Sequence, residues 1–191
     1  MLKRIPYPVL IVAALAGCAS TGGPVVETGP RYVAEAASLE NYRLSAGDKV
    51  RITVFGEQSL SGEYAVGSDG MVSMPLAGNV PADGESPKDL SDLIQARLAD
   101  GYLRDPKVSV EVVSYRPFFI LGEVGAPGQY PYASGMTVLN AVATAQGYTP
   151  RAEKKVVYIR RGGGAKEEAY RLTPDLRVLP GDTIRIGERF F

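Results

Sequence analysis

The chain has 191 residues, with 21 basic and 21 acidic side chains, no histidine, no tryptophan and one cysteine. The absence of histidine excludes Ser-His-Asp catalysis and histidine metal sites, and a single cysteine excludes an intrachain disulfide framework. The even charge balance is not that of a nucleic-acid-binding domain.

The N-terminus opens with Lys3 and Arg4, followed by an apolar run from Val9 to Ala16. The run is too short to span a bilayer as a helix and reads, over residues 1–17, as a signal peptide. It ends in Leu15-Ala16-Gly17-Cys18, which resembles a bacterial lipobox. That resemblance implies cleavage before Cys18, a thioether from its sulfur to diacylglycerol, and a further acyl chain on the new N-terminus. Several acyl chains give stable anchoring where one gives marginal binding. Ala19, rather than aspartate, follows the cysteine, so inner-membrane retention is not signalled. The alternative is an ordinary signal peptide with an incidental cysteine. Loss of Lys3 and Arg4 would leave the mature chain slightly acidic. Residues 18–37 are rich in Gly, Pro, Thr and Ala and read as a flexible tether.

From Asn41 the pattern becomes that of a folded chain. Lys49 to Phe55 alternates, with Val50, Ile52 and Val54 on one face, which predicts a half-buried strand. Glu63 to Val66 is a short strand, Gly67-Ser68-Asp69-Gly70 a hairpin turn, and Met71 to Met74 and Leu76 to Val80 further strands. Ser86-Pro87-Lys88-Asp89 opens a helix: Ser86 caps, Pro87 suits the first turn and Asp89 completes a capping box. Leu90, Leu93, Ile94 and Leu98 are its expected buried face, and Gly101 its C-cap. Lys107 to Val112 alternates as another strand.

Phe118 to Leu121 is a strand ended by Gly122, and Gly125-Ala126-Pro127-Gly128 is turn punctuation. Gln129 to Tyr132 returns as a strand, with Pro131 marking an edge. Thr137 is the expected N-cap of a short helix over residues 137–146, with Val138, Leu139, Val142 and Ala145 on one face and Gly147 as its stop. Lys155 to Arg160, a Gly162-Gly163-Gly164 turn and Glu167 to Leu172 form a hairpin. Val178-Leu179-Pro180-Gly181-Asp182-Thr183-Ile184-Arg185-Ile186 then repeats the phrase Leu44-Ser45-Ala46-Gly47-Asp48-Lys49-Val50-Arg51-Ile52: a Gly-Asp turn feeding a half-buried strand.

Two stretches carry a family resemblance. Gly122-Glu123-Val124-Gly125-Ala126-Pro127-Gly128-Gln129-Tyr130, followed by Thr137 to Thr149, resembles the soluble-ligand-binding β-grasp (SLBB) module of outer-membrane polysaccharide export proteins. Leu44 to Ser114 resembles the export domain of the same family. Many members carry an acid where Asn140 stands and Gly-Gly where Gln146-Gly147 stands; the first departure weakens a capping box and the second alters a helix exit. The resemblance implies an α+β chain of two small β-rich domains, each with one main helix: an export domain over residues 38–115 and a β-grasp domain over 116–191, meeting without a flexible linker near Tyr115-Arg116-Pro117.

By the same resemblance the protein is a non-enzymatic component of exopolysaccharide or capsule export, anchored in the outer membrane through Cys18 and facing the periplasm. Its implied partners are the polysaccharide, further copies of itself in a ring, and an inner-membrane co-polymerase. Longer members continue into a C-terminal amphipathic helix that forms the membrane pore. Here the residues after Ile186 are too few to cross about 30 Å of hydrocarbon, so the expectation is a short form completed by a separate outer-membrane β-barrel. The alternative is a lipid-anchored β-grasp module that binds a soluble glycan or small ligand without forming a conduit. No cofactor, metal ligand or catalytic residue is identified. Paired acids such as Asp175 with Asp182, or Glu167 with Glu168, are the one pattern that glycosidase chemistry would use, and solvated acids are the simpler reading. Gly162-Gly163-Gly164 lacks the following Lys-Ser or Lys-Thr of a phosphate-binding loop.

Overall fold

The computed structural model describes Val25 and residues 42–189. The expected signal peptide, Cys18 and almost all of the expected tether lie outside the described residues. The rest folds as α+β around two hydrophobic clusters, one built from Leu44–Val112 and the other from Tyr115–Ile186.

The first cluster begins with β1 (Lys49–Val54), whose Val50, Ile52 and Val54 are buried as the alternation predicts. β1 is the middle strand of an antiparallel three-stranded sheet, between β2 (Gly62–Ala65) and β5 (Val108–Ser114). β3 (Met71–Met74) and β4 (Gly78–Pro81) form a separate two-stranded ribbon. The turn at Gly67–Gly70 is present, with the Gly70 N–H donating to Gly67 O at 3.0 Å. It is a corner rather than a hairpin, because β2 and β3 belong to different sheets.

Helix α1 (Pro87–Ala99) starts at Ser86, whose hydroxyl accepts the Asp89 N–H while Asp89 accepts the Ser86 N–H. Its C-cap is Asp100; Gly101, the expected cap, follows it with φ 87°. Leu90, Ile94 and Leu98 are buried, but Leu93 is 38% exposed. At about 100° per residue, Leu93 lies roughly 100° from the centre of the stripe made by the other three. Two contacts fasten α1: Ser91 Oγ donates to Val108 O at 2.7 Å, and Arg97 donates to Asn79 O at 2.9 Å.

The second cluster underlies a five-stranded mixed sheet in the order β7 (Gly128–Tyr130), β6 (Phe118–Gly122), β10 (Thr183–Glu188), β8 (Ala152–Arg160), β9 (Glu168–Arg171). β10 runs parallel to β6 and antiparallel to β8. β7 is an edge strand, as Pro131 indicates, and ends before that proline rather than reaching Tyr132. Helix α2 (Val138–Thr144) supplies Val138, Ala141 and Val142 to the cluster. Leu139 is 38% exposed, about 110° from the centre of that face, so its place on the buried face is also corrected.

The capping box of α2 is intact. The Thr137 N–H donates to Asn140 Oδ1 at 3.0 Å, and the Asn140 N–H returns to Thr137 Oγ1 at 3.3 Å. A neutral amide oxygen takes the place of a carboxylate here, so the box forms without the charge-assisted strength that an acid would add. At the other end Gln146 adopts φ 64° ahead of Gly147. Among the described residues no helix is long and apolar enough to cross a membrane.

Candidate functional site

The organising glycine motif is a latch. The N–H groups of Gly125 and Ala126 donate to Gly147 O and Ala145 O at 2.9 and 2.8 Å, and the Thr149 N–H donates to Glu123 O at 3.2 Å. The turn after β6 is thereby tied to the exit of α2, which explains why the two halves of the motif occur together. Gly122 must be glycine: a Cβ there would fall on the carbonyl oxygen of Ile186 in β10. Glu123 closes the outside of the latch, bonded to the Thr149 hydroxyl and to Arg151.

The repeated Gly-Asp phrase is a structural motif with one geometry. Asp48 and Asp182 are buried. Each accepts the N–H three residues upstream: Ser45 to Asp48 Oδ2 at 2.8 Å, and Leu179 to Asp182 Oδ2 at 2.7 Å. Each also accepts an N–H from the end of the neighbouring antiparallel strand, Arg116 for Asp48 at 2.8 Å and Gly162 for Asp182 at 3.3 Å. Each meets a guanidinium, Arg116 for Asp48 and Arg161 for Asp182. Such donors are what make a buried carboxylate tolerable. Burial nonetheless pushes the Asp182 carboxyl above the ordinary aspartate range, with Arg161 and the backbone donors pulling against it.

The two motifs meet at the joint between the domains. Arg116 Nη1 donates to Tyr42 Oη at 3.2 Å, and the Tyr42 hydroxyl donates to Asp48 at 2.6 Å. Burial and then that bond push the Tyr42 phenol well up. Tyr115 packs edge-on against Tyr42, centroids 4.9 Å apart, and against Tyr132, 5.4 Å apart. The Gly181 N–H donates to Pro117 O at 3.2 Å. Tyr42 and Asp48 belong to the first domain, Tyr132 and Gly181 to the second, so the joint is a packed, hydrogen-bonded contact. Nothing in the local sequence marks Arg116 as its centre; the repeated Gly-Asp phrase is the signal that leads there.

Beside the joint lies an open groove of about 890 Å³ between the N-terminal turn of α1 and the outer edge of β5. Tyr42, Tyr115, Lys88, Asp89, Ser109 and Glu111 contribute to its walls. Aromatic rims with alternating charged and hydroxyl groups suit a polar, hydroxyl-bearing ligand.

The acids that glycosidase chemistry would pair stand in unlike surroundings. Asp182 is buried in its turn, Asp175 is exposed, Glu167 is held bidentately by Arg185, and Glu168 accepts the Tyr170 hydroxyl. Gly162-Gly163-Gly164 lies in the turn between β8 and β9. Among the described residues no three acids, cysteines or histidines gather to hold a metal.

A family model for "Polysaccharide biosynthesis/export protein" matches residues 36–113, and one for the SLBB domain matches residues 117–171. The chain is 38% identical over 126 residues to the exopolysaccharide production protein ExoF of Rhizobium meliloti (strain 1021), covering 60% of this chain and 30% of that protein. It is 23% identical over 194 residues to the polysialic acid transport protein KpsD of Escherichia coli, covering 96% of this chain and 34% of that protein. The chain thus spans about a third of the length of these curated relatives. These two domains matched in this order, with the two relatives, place the chain in the polysaccharide export family.

Proposed function

We propose that this protein is a non-enzymatic component of exopolysaccharide or capsule export. It works in the periplasm, held to the outer membrane by lipid on Cys18, and assembles with further copies as a ring or adaptor that guides polymer out of the cell. An inner-membrane co-polymerase delivers the polymer to it. The observation that carries the reading is the pairing of an export-family match over residues 36–113 with an SLBB match over residues 117–171, with Arg116 between them bonded to Asp48. A transport device needs shape, lining polarity and defined domain orientation rather than a reactive group. The names of the two relatives, one in exopolysaccharide production and one in polysialic acid transport, support the same class of cargo.

A second reading is favoured by the groove beside α1: a lipid-anchored module that binds a soluble glycan without forming a conduit. Mass measurement of the lipidated protein in detergent separates the two. A discrete complex of several copies supports the export ring. A monomer that retains glycan supports the second reading and contradicts the first.

A further inference from the structure

One face of the five-stranded sheet carries α2; among the described residues no element covers the other. The registers place Phe119, Thr183 and Arg160 side by side across β6, β10 and β8 on that open face. The next row is Leu121, Arg185, Tyr158 and Ala169. Phe119 and Leu121 are 43% and 39% exposed, while Phe118 and Ile120 on the same strand are buried. Arg160 is exposed, its hydrogen bond goes to the Thr183 hydroxyl at 3.1 Å, and among the described residues it makes no ion pair with a carboxylate. Arg171 stands on the same face opposite Val156.

Arg185 plays a different part. Glu167 grips it through two oxygens, and its guanidinium lies 4.0 Å from the Tyr158 ring centroid. This stack is a rigid wall, with Gly187 beneath the Tyr158 ring. Its charge is already answered. Arg160 offers its charge to this face two strands from Phe119, about 10 Å between backbones at the spacing of paired strands.

We infer that this open face binds an acidic glycan segment, one sugar ring lying on Phe119 while a carboxylate on the chain reaches Arg160. The apolar face of a pyranose suits an exposed aromatic ring, and a carboxylate suits an unanswered guanidinium. The inference rests on the export reading, since that reading supplies a polysaccharide as the ligand, and it adds the chemical class of polymer and the surface that meets it.

The test uses the full chain in detergent over immobilised oligogalacturonate, an acidic glycan, with dextran and poly-glutamate as competitors. Oligogalacturonate binding is expected, weakening with salt. Arg160→Gln and Phe119→Ser should each weaken it at least about fivefold, the scale of one lost charge-assisted contact. Both positions are exposed, so thermal melts should match wild type. Lys107→Gln, exposed on the first domain and outside the groove beside α1, should bind as wild type does. Dextran should not compete. Absent binding, wild-type binding by both variants, or equal competition by poly-glutamate would overturn the inference, the last by showing that charge alone is read. Deletion of the gene separates this from the export reading: lost export with no binding at this face removes only the face, whereas intact export removes the reading beneath it.

Discussion

The side chain of Arg116 passes so close to the Cα of Gly181 that a Cβ there would lie 2.6 Å from Nε. Arg116 also donates its backbone N–H to Asp48, so a single residue at the domain junction touches both Gly-Asp turns. Gly181 is therefore glycine for two reasons: its φ of 81°, which residues with a side chain rarely adopt, and the arginine lying across it. The relative placement of the two domains depends on this crossing.

The first prediction follows from it. Arg116→Ala removes a guanidinium partner from buried Asp48 and from Tyr42, at a cost of about 1–3 kcal/mol. Gly181→Ala should destabilise through the same contact, and the two changes together should cost less than their sum, because they disturb one joint. Urea unfolding of both single variants and the double measures this. Strict additivity, or a loss for Arg116→Ala within about 0.5 kcal/mol, would mean that the joint does not couple the domains.

Helix α1 provides a paired test. Ile94→Ala, at a fully buried position, should cost about 2–5 kcal/mol. Leu93→Ala, one residue earlier and 38% exposed, should stay within about 1 kcal/mol. Thermal or urea melts that rank the two in the opposite order would require the helix to be rotated about its axis.

Two aspartates should titrate in opposite directions. Hydrogen bonds from the Ser86 side chain and backbone hold Asp89 below the usual carboxylate range, helped by Arg43. Its contribution to stability is present above the unfolded value of about 3.9 and is lost as pH falls through the lowered folded value. Burial holds Asp182 above that range. Its contribution is greatest below about pH 3.9 and declines as pH rises through the raised folded value. Carboxyl-carbon NMR titration of the two residues should give Asp182 the higher midpoint, and the reverse order would contradict the account of both turns.

Processing gives a chemical prediction. The mature N-terminal peptide should begin at Cys18 and carry the mass of its acyl chains, and Cys18→Ser should leave the precursor uncleaved. Mass spectrometry that finds an unmodified N-terminus at another residue would remove the lipid anchor.

Much of this fold is legible because local chemistry dictates it. The alternation of Lys49 to Val54 and the Ser86–Asp89 box need only neighbours in sequence. Leu93 and Leu139 lie off the buried faces because apolar character says nothing of where a helix face ends; the partner surface decides that. The Thr137–Asn140 box, like the Ser86–Asp89 box, needs only neighbours in sequence. The parallel pairing of β10 with β6 joins residues some sixty positions apart and leaves no local mark. The same is true of Arg116, whose role arises only when Asp48 and Gly181 are brought to it. The open face with Phe119 and Arg160 was likewise hidden, since three separate strands compose it.

The central claim is that this protein moves polymer without altering it. Its most direct test is the polysaccharide of a strain lacking the gene, measured separately in the culture fluid and in the cells, with its sugar composition and linkages determined. The account predicts that secreted polymer is lost, that polymer of unchanged linkage is retained in the cells or its synthesis falls, and that the wild-type gene restores secretion. Undiminished secretion, or secreted polymer of altered linkage or chain composition, would contradict it.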